Sequence, residues 1–482
     1  MNKIHKSILS ILTLQFLLFS CATTEPQDAL VQGIAEPRET APTASAVPAA
    51  PLANQTPAET VPVTAREHIS KGINFACNLD FDAAVKEFSD AIDIEPDLAE
   101  AWLFRGRARF AGLSNVISVE EDFSYVSTMI TGGVVSPELL SAYERAISDF
   151  SQAIAMEPDN AAAYADRARA YSDTGDFEKA KEDCIRSISL NPDYAVPHVV
   201  YGNIYLISGD AEKSIEHYNR AVSADPSYIT GYNNRALAYE QMGYYEKAAA
   251  DYSAAIGINS EYAFLYNNRG SVHSAMGDYN SAIADYSEAI RLDPQVFYYY
   301  GNLGYMYHQK KDYDSAIKEF NEAIRLNVND EHAYIYRGNT YREKGNYELS
   351  IADFNEAVKL NSRNHMCYSS RALLYFTLEN YDQVITDYSQ AISLNPGMPV
   401  YYNNRGAAYY NIKEFDLSIS DFNEAIRLNN AAAVYYCNRG NSYLEKSDYD
   451  RSIADYENAI RLDPGNVQYQ EKLNEIRQIR GY

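Results

Sequence analysis

The chain has 482 residues and a formal net charge of −25. That length exceeds what one compact core organises, so several domains or a repeat array are expected. The acidic balance excludes non-specific nucleic-acid binding, which needs clustered Lys and Arg, and a surface drawn to anionic lipid.

Residues 1–20 read as an export segment. Lys3 and Lys6 supply a positive start, and Ile8 to Phe19 is an apolar run too short for a comfortable membrane span. The run ends in Leu18-Phe19-Ser20-Cys21. This stretch resembles the lipobox of bacterial lipoproteins, in which the Cys is lipidated and becomes the mature N-terminus. The resemblance implies lipid on Cys21 and an exported protein anchored in the cell envelope. Ala22 follows, with no Asp to direct inner-membrane retention, so the resemblance favours the outer membrane. Membrane contact is expected through the lipid alone. Residues 21–64 are Pro, Ala and Thr rich with almost no bulky apolar side chains, and are expected to be an extended, disordered linker. Cys77, Cys184, Cys367 and Cys437 are widely spaced without CxxC, and read as small buried apolar residues rather than a disulfide set.

From Ala65 to Asn466 the chain is one unit repeated eleven times, with a 34-residue period that is unbroken from Ala161. With positions numbered 1 to 34, position 8 is Gly or Ala throughout, as at Gly270 and Gly406. Position 20 is small in all but Val384, and position 27 is Ala or Ser. Position 24 is aromatic in ten repeats and Cys184 in the third. Two apolar-periodic segments flank a turn such as Gly277-Asp278, and Pro at position 32 ends the second. The pattern predicts two amphipathic helices per unit, held close by small residues. One such pair cannot bury its apolar face alone, so the units must stack.

Trp102 and Tyr266 at position 4, Gly270, Tyr307, Ala282 and Pro294 carry a resemblance to the tetratricopeptide repeat (TPR). The resemblance covers residues 65–466. It implies an all-α, right-handed superhelical solenoid with a concave groove lined by the first helix of each pair. Residues 467–482 read as a capping helix with a polar face. The second repeat carries 28 extra residues near 113–138. They read either as a duplicated second helix, since Asp122 onward echoes Asp149 onward, or as a hairpin turning at Gly132-Gly133.

Position 7 is Arg in eight repeats, and position 23 is Asp in the same eight, including Arg269 with Asp285 and Arg405 with Asp421. The other repeats lose both together: Lys71 with Glu87, Tyr201 with His217, and Leu303 with Glu319. Positions that change together within one chain are expected to touch, and a planar Arg–carboxylate pair suits a contact between the two helices. These Arg are therefore assigned to the frame.

Asn recurs at position 6 in Asn234, Asn268, Asn302, Asn404 and Asn438, and at position 9 in Asn203, Asn339 and Asn441. By resemblance both positions face the groove, where an amide offers a peptide backbone both donor and acceptor. The same amides could instead bridge neighbouring helices. A TPR subfamily grips C-terminal carboxylates with bases at fixed groove positions. Val199, Phe264 and Asn268 stand where those bases belong, so that mode is rejected. Phe264, Tyr298, Tyr305, Phe376 and Tyr410 make the groove aromatic and neutral.

No nucleophile–base set, P-loop or HExxH occurs, and no cofactor is implied. His308, His332 and His365 fall in successive repeats without companions at ligand spacing, so no metal is expected. The expected function is a non-enzymatic, envelope-anchored scaffold holding a protein or peptide partner, in assembly of an envelope complex. Within the same binding class, the chain could be a surface lipoprotein engaging host or neighbouring-cell molecules. An enzyme or accessory with its site in the insertion is the reading of another class.

Overall fold

The computed structural model describes residues 64–120 and 137–481. The export segment, Cys21 and the linker to residue 63 lie outside them. So do residues 121–136, on which both readings of the insertion depend. The described residues form 23 helices and no strand.

Repeat one is α1 (Ala65–Cys77) and α2 (Phe81–Ile94), and repeat two is α3 (Ala99–Glu120) and α4 (Pro137–Met156). Repeat three is α5 (Ala161–Asp173) and α6 (Phe177–Leu190), and repeat four is α7 (Ala195–Ile207) and α8 (Ala211–Ala224). Repeat five is α9 (Ile229–Gln241) and α10 (Tyr245–Ile258), and repeat six is α11 (Ala263–Ala275) and α12 (Tyr279–Leu292). Repeat seven is α13 (Phe297–Gln309) and α14 (Tyr313–Leu326), and repeat eight is α15 (Glu331–Glu343) and α16 (Tyr347–Leu360). Repeat nine is α17 (His365–Thr377) and α18 (Tyr381–Leu394), and repeat ten is α19 (Pro399–Asn411) and α20 (Phe415–Leu428). Repeat eleven is α21 (Ala433–Glu445) and α22 (Tyr449–Leu462), and α23 (Val467–Arg480) follows it.

The chain divides between Leu292 and Asp293 into two compact units, repeats one to six and repeats seven to eleven with α23. Within each unit every helix packs against its neighbours in sequence, which makes each an all-α repeat solenoid. Several successive first helices also touch one another, as α7 and α9 do, and α15 and α17.

Local chemistry sets the boundaries. Thr64 opens α1 with a capping box, its Oγ1 accepting from the Glu67 amide while Glu67 Oε2 accepts from the Thr64 amide at 2.7 Å. In the ten repeats whose inter-helix turn lies among the described residues, that turn contains one left-handed residue, at position 15. Gly277 (φ 77°) serves there without strain, and Lys311, Glu379, Lys413 and Ser447 adopt the same conformation with side chains. Position 16 then caps the second helix, as Asp312 does by accepting from the Ser315 amide.

The aromatic at position 24 lies against the small residue at position 8. A Cβ on Gly338 would sit 2.8 Å from the ring of Phe354, which is fully buried. Close approach of the two helices therefore depends on the missing side chain. Beyond repeat eleven, α23 covers the last open face with Leu473 and Ile476, which pack with Tyr456.

The insertion lengthens both flanking helices. α3 has 22 residues where other first helices have 13, and α4 has 20 where other second helices have 14. All four cysteines beyond residue 63 are free, and Cys77 corrects the expectation of burial: it ends α1 and is exposed.

Candidate functional site

Each Arg at position 7 makes a three-way clamp. In repeat ten, Arg405 Nε and Nη2 donate to Asp421 Oδ2 and Oδ1, both at 2.8 Å, and Nη1 donates to Ser389 Oγ of the preceding repeat at 2.9 Å. In repeat eight, Arg337 does the same with Asp353 and with Asn321. The carboxylates are buried and the guanidiniums mostly so. The guanidinium also lies over aromatic rings one turn away on either side. Arg405 sits 5.9 Å from Tyr402 and 6.0 Å from Tyr409. The high Tyr content thus serves the clamp as well as the core.

The acceptor at position 25 went unread in the sequence. It is Ser or Asn at Ser89, Ser151, Asn219, Ser253, Asn321, Asn355, Ser389 and Asn423, and each receives the next repeat's Arg. Its signal was a Ser or Asn before every Arg one repeat later, with Ser287 an extra one ahead of Leu303. Repeat four lacks the Arg, and the residue it would reach is Ile185, which is exposed.

Tyr201 and His217 replace the clamp in repeat four, with ring centroids 4.4 Å apart and Tyr205 beside them at 5.5 Å from His217. His198 lies 6.0 Å from His217. Burial holds His217 down to about 4, and the neighbouring His198 and Arg220 add to it.

Most of the Asn residues form a ladder rather than a displayed surface. Asn203 Oδ1 accepts from Tyr218 Oη at 2.7 Å and from Asn234 Nδ2 at 2.9 Å. Asn234 Oδ1 accepts from Asn233, and Asn233 Oδ1 accepts from Asn268 Nδ2 at 3.3 Å. The chain of amides therefore crosses α7, α9 and α11. A second ladder joins Asn404 to Tyr388 Oη at 2.8 Å, and Asn438 Nδ2 to Asn403 Oδ1 at 2.9 Å. Asn441 Oδ1 accepts from Tyr456 Oη at 2.6 Å.

Of the two roles open to these amides in the sequence, the structure puts most of them to bridging neighbouring helices. Asn234, Asn268 and Asn302 are buried, and Asn203, Asn404, Asn438 and Asn441 hold bonds within the stack. The physical reason is the closeness of successive first helices, which brings position 5 of one repeat within reach of position 6 of the next. Tyr305 is also buried, its ring 5.4 Å from that of Tyr336, and Phe264 is buried as well.

The first helices of repeats seven to ten keep a smaller set in view. Asn339 is half-buried and makes no side-chain hydrogen bond among the described residues. Tyr298 is half-buried, edge-on to Tyr299 at 4.8 Å. Phe376 and Tyr410 are half-buried, each edge-on to a ring of its own second helix, Tyr381 and Phe415. The three His of this region do not converge. His308 Nδ1 donates to Thr340 Oγ1 at 2.9 Å, because that hydroxyl itself donates to the Tyr336 carbonyl. His365 bonds Tyr401 Oη at 2.6 Å, and His332 lies beside Asp330 and Glu331.

Among the described residues no helix is long and apolar enough to cross a membrane. No curated protein matches the chain. Among solved structures, the APC/C hetero-tetramer Cut9–Hcn1 aligns at 13% identity over 86% of this chain and 90% of that one, with a TM-score of 0.44. Yeast Tom70 aligns at 14% identity over 86% and 96%, with a TM-score of 0.45. YrrB, described as a TPR protein with an unusual peptide-binding site, aligns at 19% identity over 40% and 98%, with a TM-score of 0.35. Sequence models described as TPR repeat match residues 202–243 and 338–379. Others described as tetratricopeptide repeat match 140–183, 229–262, 267–331, 367–398, 400–431 and 433–466. With matches across most of residues 140–466 and helix pairs stacked in the same phase, the chain belongs to the tetratricopeptide repeat family.

Proposed function

We propose that this protein is an envelope-anchored interaction scaffold that holds a protein or peptide partner along its first-helix row, in assembly of an envelope complex. A stack of interaction repeats supports the class of function. The lipobox-like Leu18-Phe19-Ser20-Cys21 and the linker after it support the anchor. The observation that carries the partner site is Asn339. Its amide lies half-buried on a first helix with no side-chain partner, while the other Asn of the row are bonded within the frame or buried. A side-chain amide in that position is suited to a peptide backbone, and the half-buried rings of Tyr298, Phe376 and Tyr410 offer apolar contact along the same row.

The test is photo-crosslinking in the native cell, with probes at Asn339 and Phe376 and a control at exposed Glu348. A discrete adduct from the first two alone supports the reading. Adducts from Glu348 alone, or from none of the three, would remove the first-helix row as the working surface. Anchoring is tested separately: Cys21→Ser should abolish incorporation of a fatty-acid label and release the protein from membranes.

A further inference from the structure

We propose that repeat one carries a binding site for a divalent transition cation, of which Zn2+ is the type, held by His68, Glu87 and Asp90. One donor atom from each of the three lies within 4.8 Å of the others, and all three side chains are half-buried. His68 Nδ1 is 2.7 Å from Glu87 Oε2. A tetrahedral cation with bonds of about 2.1 Å needs donors roughly 3.5 Å apart, so small side-chain rotations are enough to close the set.

The site arises where repeat one departs from the rule of the array. Position 4 is Trp or Tyr in nine repeats, His198 in repeat four and His68 here. Position 7 is Lys71 rather than the Arg that would cover the carboxylate at position 23. Position 26 is acidic in other repeats too, but there a base three residues on holds it. Glu288 pairs with Arg291 at 2.7 Å, Glu322 with Arg325 at 2.7 Å, and Glu356 with Lys359 at 2.8 Å. In repeat one that residue is Asp93. Asp90 is left half-buried with no hydrogen bond or ion pair among the described residues, beside Glu87. A cation there would neutralise two adjacent carboxylates at once.

Glu87 and Asp90 stand one turn apart on α2 and so share a face, while His68 comes from α1. A bound cation would therefore cross-link the two helices of the terminal repeat and leave a coordination position open to water or to a donor on another molecule. One imidazole with two carboxylates favours Zn2+, Co2+, Ni2+ or Mn2+ over Ca2+ and Mg2+.

The experiment uses the purified full chain. Zn2+ is titrated against a chromogenic chelator, and Co2+ by its visible absorption. Stoichiometric binding is expected. His68→Ala and Asp90→Asn should each weaken it by about tenfold or more, and His68→Ala should abolish the Co2+ band. His332→Ala, in the neighbouring-residue cluster with Asp330 and Glu331, should leave it unchanged. Asp90→Asn removes no contact of the frame, so retained helicity in that variant separates lost binding from lost folding. No stoichiometric binding, or binding that survives both variants, overturns the site.

Discussion

Arg269 and Asp285 face each other across α11 and α12 in a two-pronged pair, Nε to Oδ2 at 2.9 Å and Nη2 to Oδ1 at 2.6 Å, while Nη1 donates to Ser253 of the preceding repeat at 3.0 Å. One side chain thus closes its own repeat and fastens it to the one before. Asp285 is 5% exposed. Arg269→Ala would leave that buried carboxylate with His273 Nδ1, 3.0 Å away, in place of the guanidinium, a loss expected to cost up to about 3–5 kcal/mol. Arg269→Lys should recover only part, because an ammonium lacks the planar fork. Urea unfolding together with amide exchange in α10, α11 and α12 measures both. Unchanged exchange in Arg269→Ala would show the pair to be inert.

Repeat four offers the reverse experiment. Tyr201→Arg, His217→Asp and Ile185→Ser together install the clamp found in its neighbours. The triple variant should stabilise repeats three and four by about 1–3 kcal/mol, the range of a charge-assisted hydrogen-bond set. Slower exchange confined to α6, α7 and α8 is the expected readout.

Acid should weaken the wild-type chain in a defined window. Burial holds both His217 and His308 at about 4, below the usual 6.5 of His. The unfolded chain therefore binds protons first. Stability carried by the neutral rings is present in full above pH 6.5 and is lost as pH falls from 6.5 toward 4. Unfolding midpoints measured across that interval should decline, and less steeply in His308→Gln and in the repeat-four triple variant. Equal slopes in all three proteins would assign the decline to other groups.

The Asn residues should separate into two kinds. Asn234→Ala leaves Asn203 with Tyr218 and Asn233 with Asn268, but takes the acceptor from the buried Asn233 Nδ2, and should cost about 1–3 kcal/mol of stability. Asn339→Ala should change stability by less than about 0.5 kcal/mol and act on partner crosslinking instead. Thermal unfolding and crosslink yield, measured on both variants, test the division.

Among the described residues, position 15 of the turn is left-handed whatever residue occupies it. Lys311 (φ 61°), Glu379 (φ 57°) and Lys413 (φ 64°) hold a conformation that disfavours a side chain by about 1–2 kcal/mol. Replacing each by Gly should stabilise its repeat by up to about that amount, less the extra freedom Gly gives the unfolded chain. Gly277→Ala should do the opposite. Denaturant midpoints of the single variants decide it.

Much of this frame was legible because a repeat protein writes its contacts at fixed spacings. Arg269 reaches Asp285 sixteen residues ahead and Ser253 sixteen residues behind, and the same offsets recur at Arg235, Arg337, Arg371, Arg405 and Arg439. The joint change of positions 7 and 23 pointed to one contact, and the Ser or Asn at position 25 carried a nearly as regular signal for the other, broken at Ser287 before Leu303. Arg105 still finds Asp149 across the insertion, 44 residues on. A two-helix frame tolerates added length between its helices.

What the sequence by itself determined was the helix pair, its period, and the need to stack, because one apolar face per pair has nowhere else to go. It could not decide the Asn residues, since one side-chain amide serves a neighbouring helix or a peptide equally well. Only the distance between successive first helices settles that, and it brings Asn234 to Asn203 and Asn268 to Asn233 while leaving Asn339 without a partner. Nor could it bring His68, Glu87 and Asp90 together. Their meeting depends on how α1 lies across α2, a matter of packing rather than of spacing along the chain.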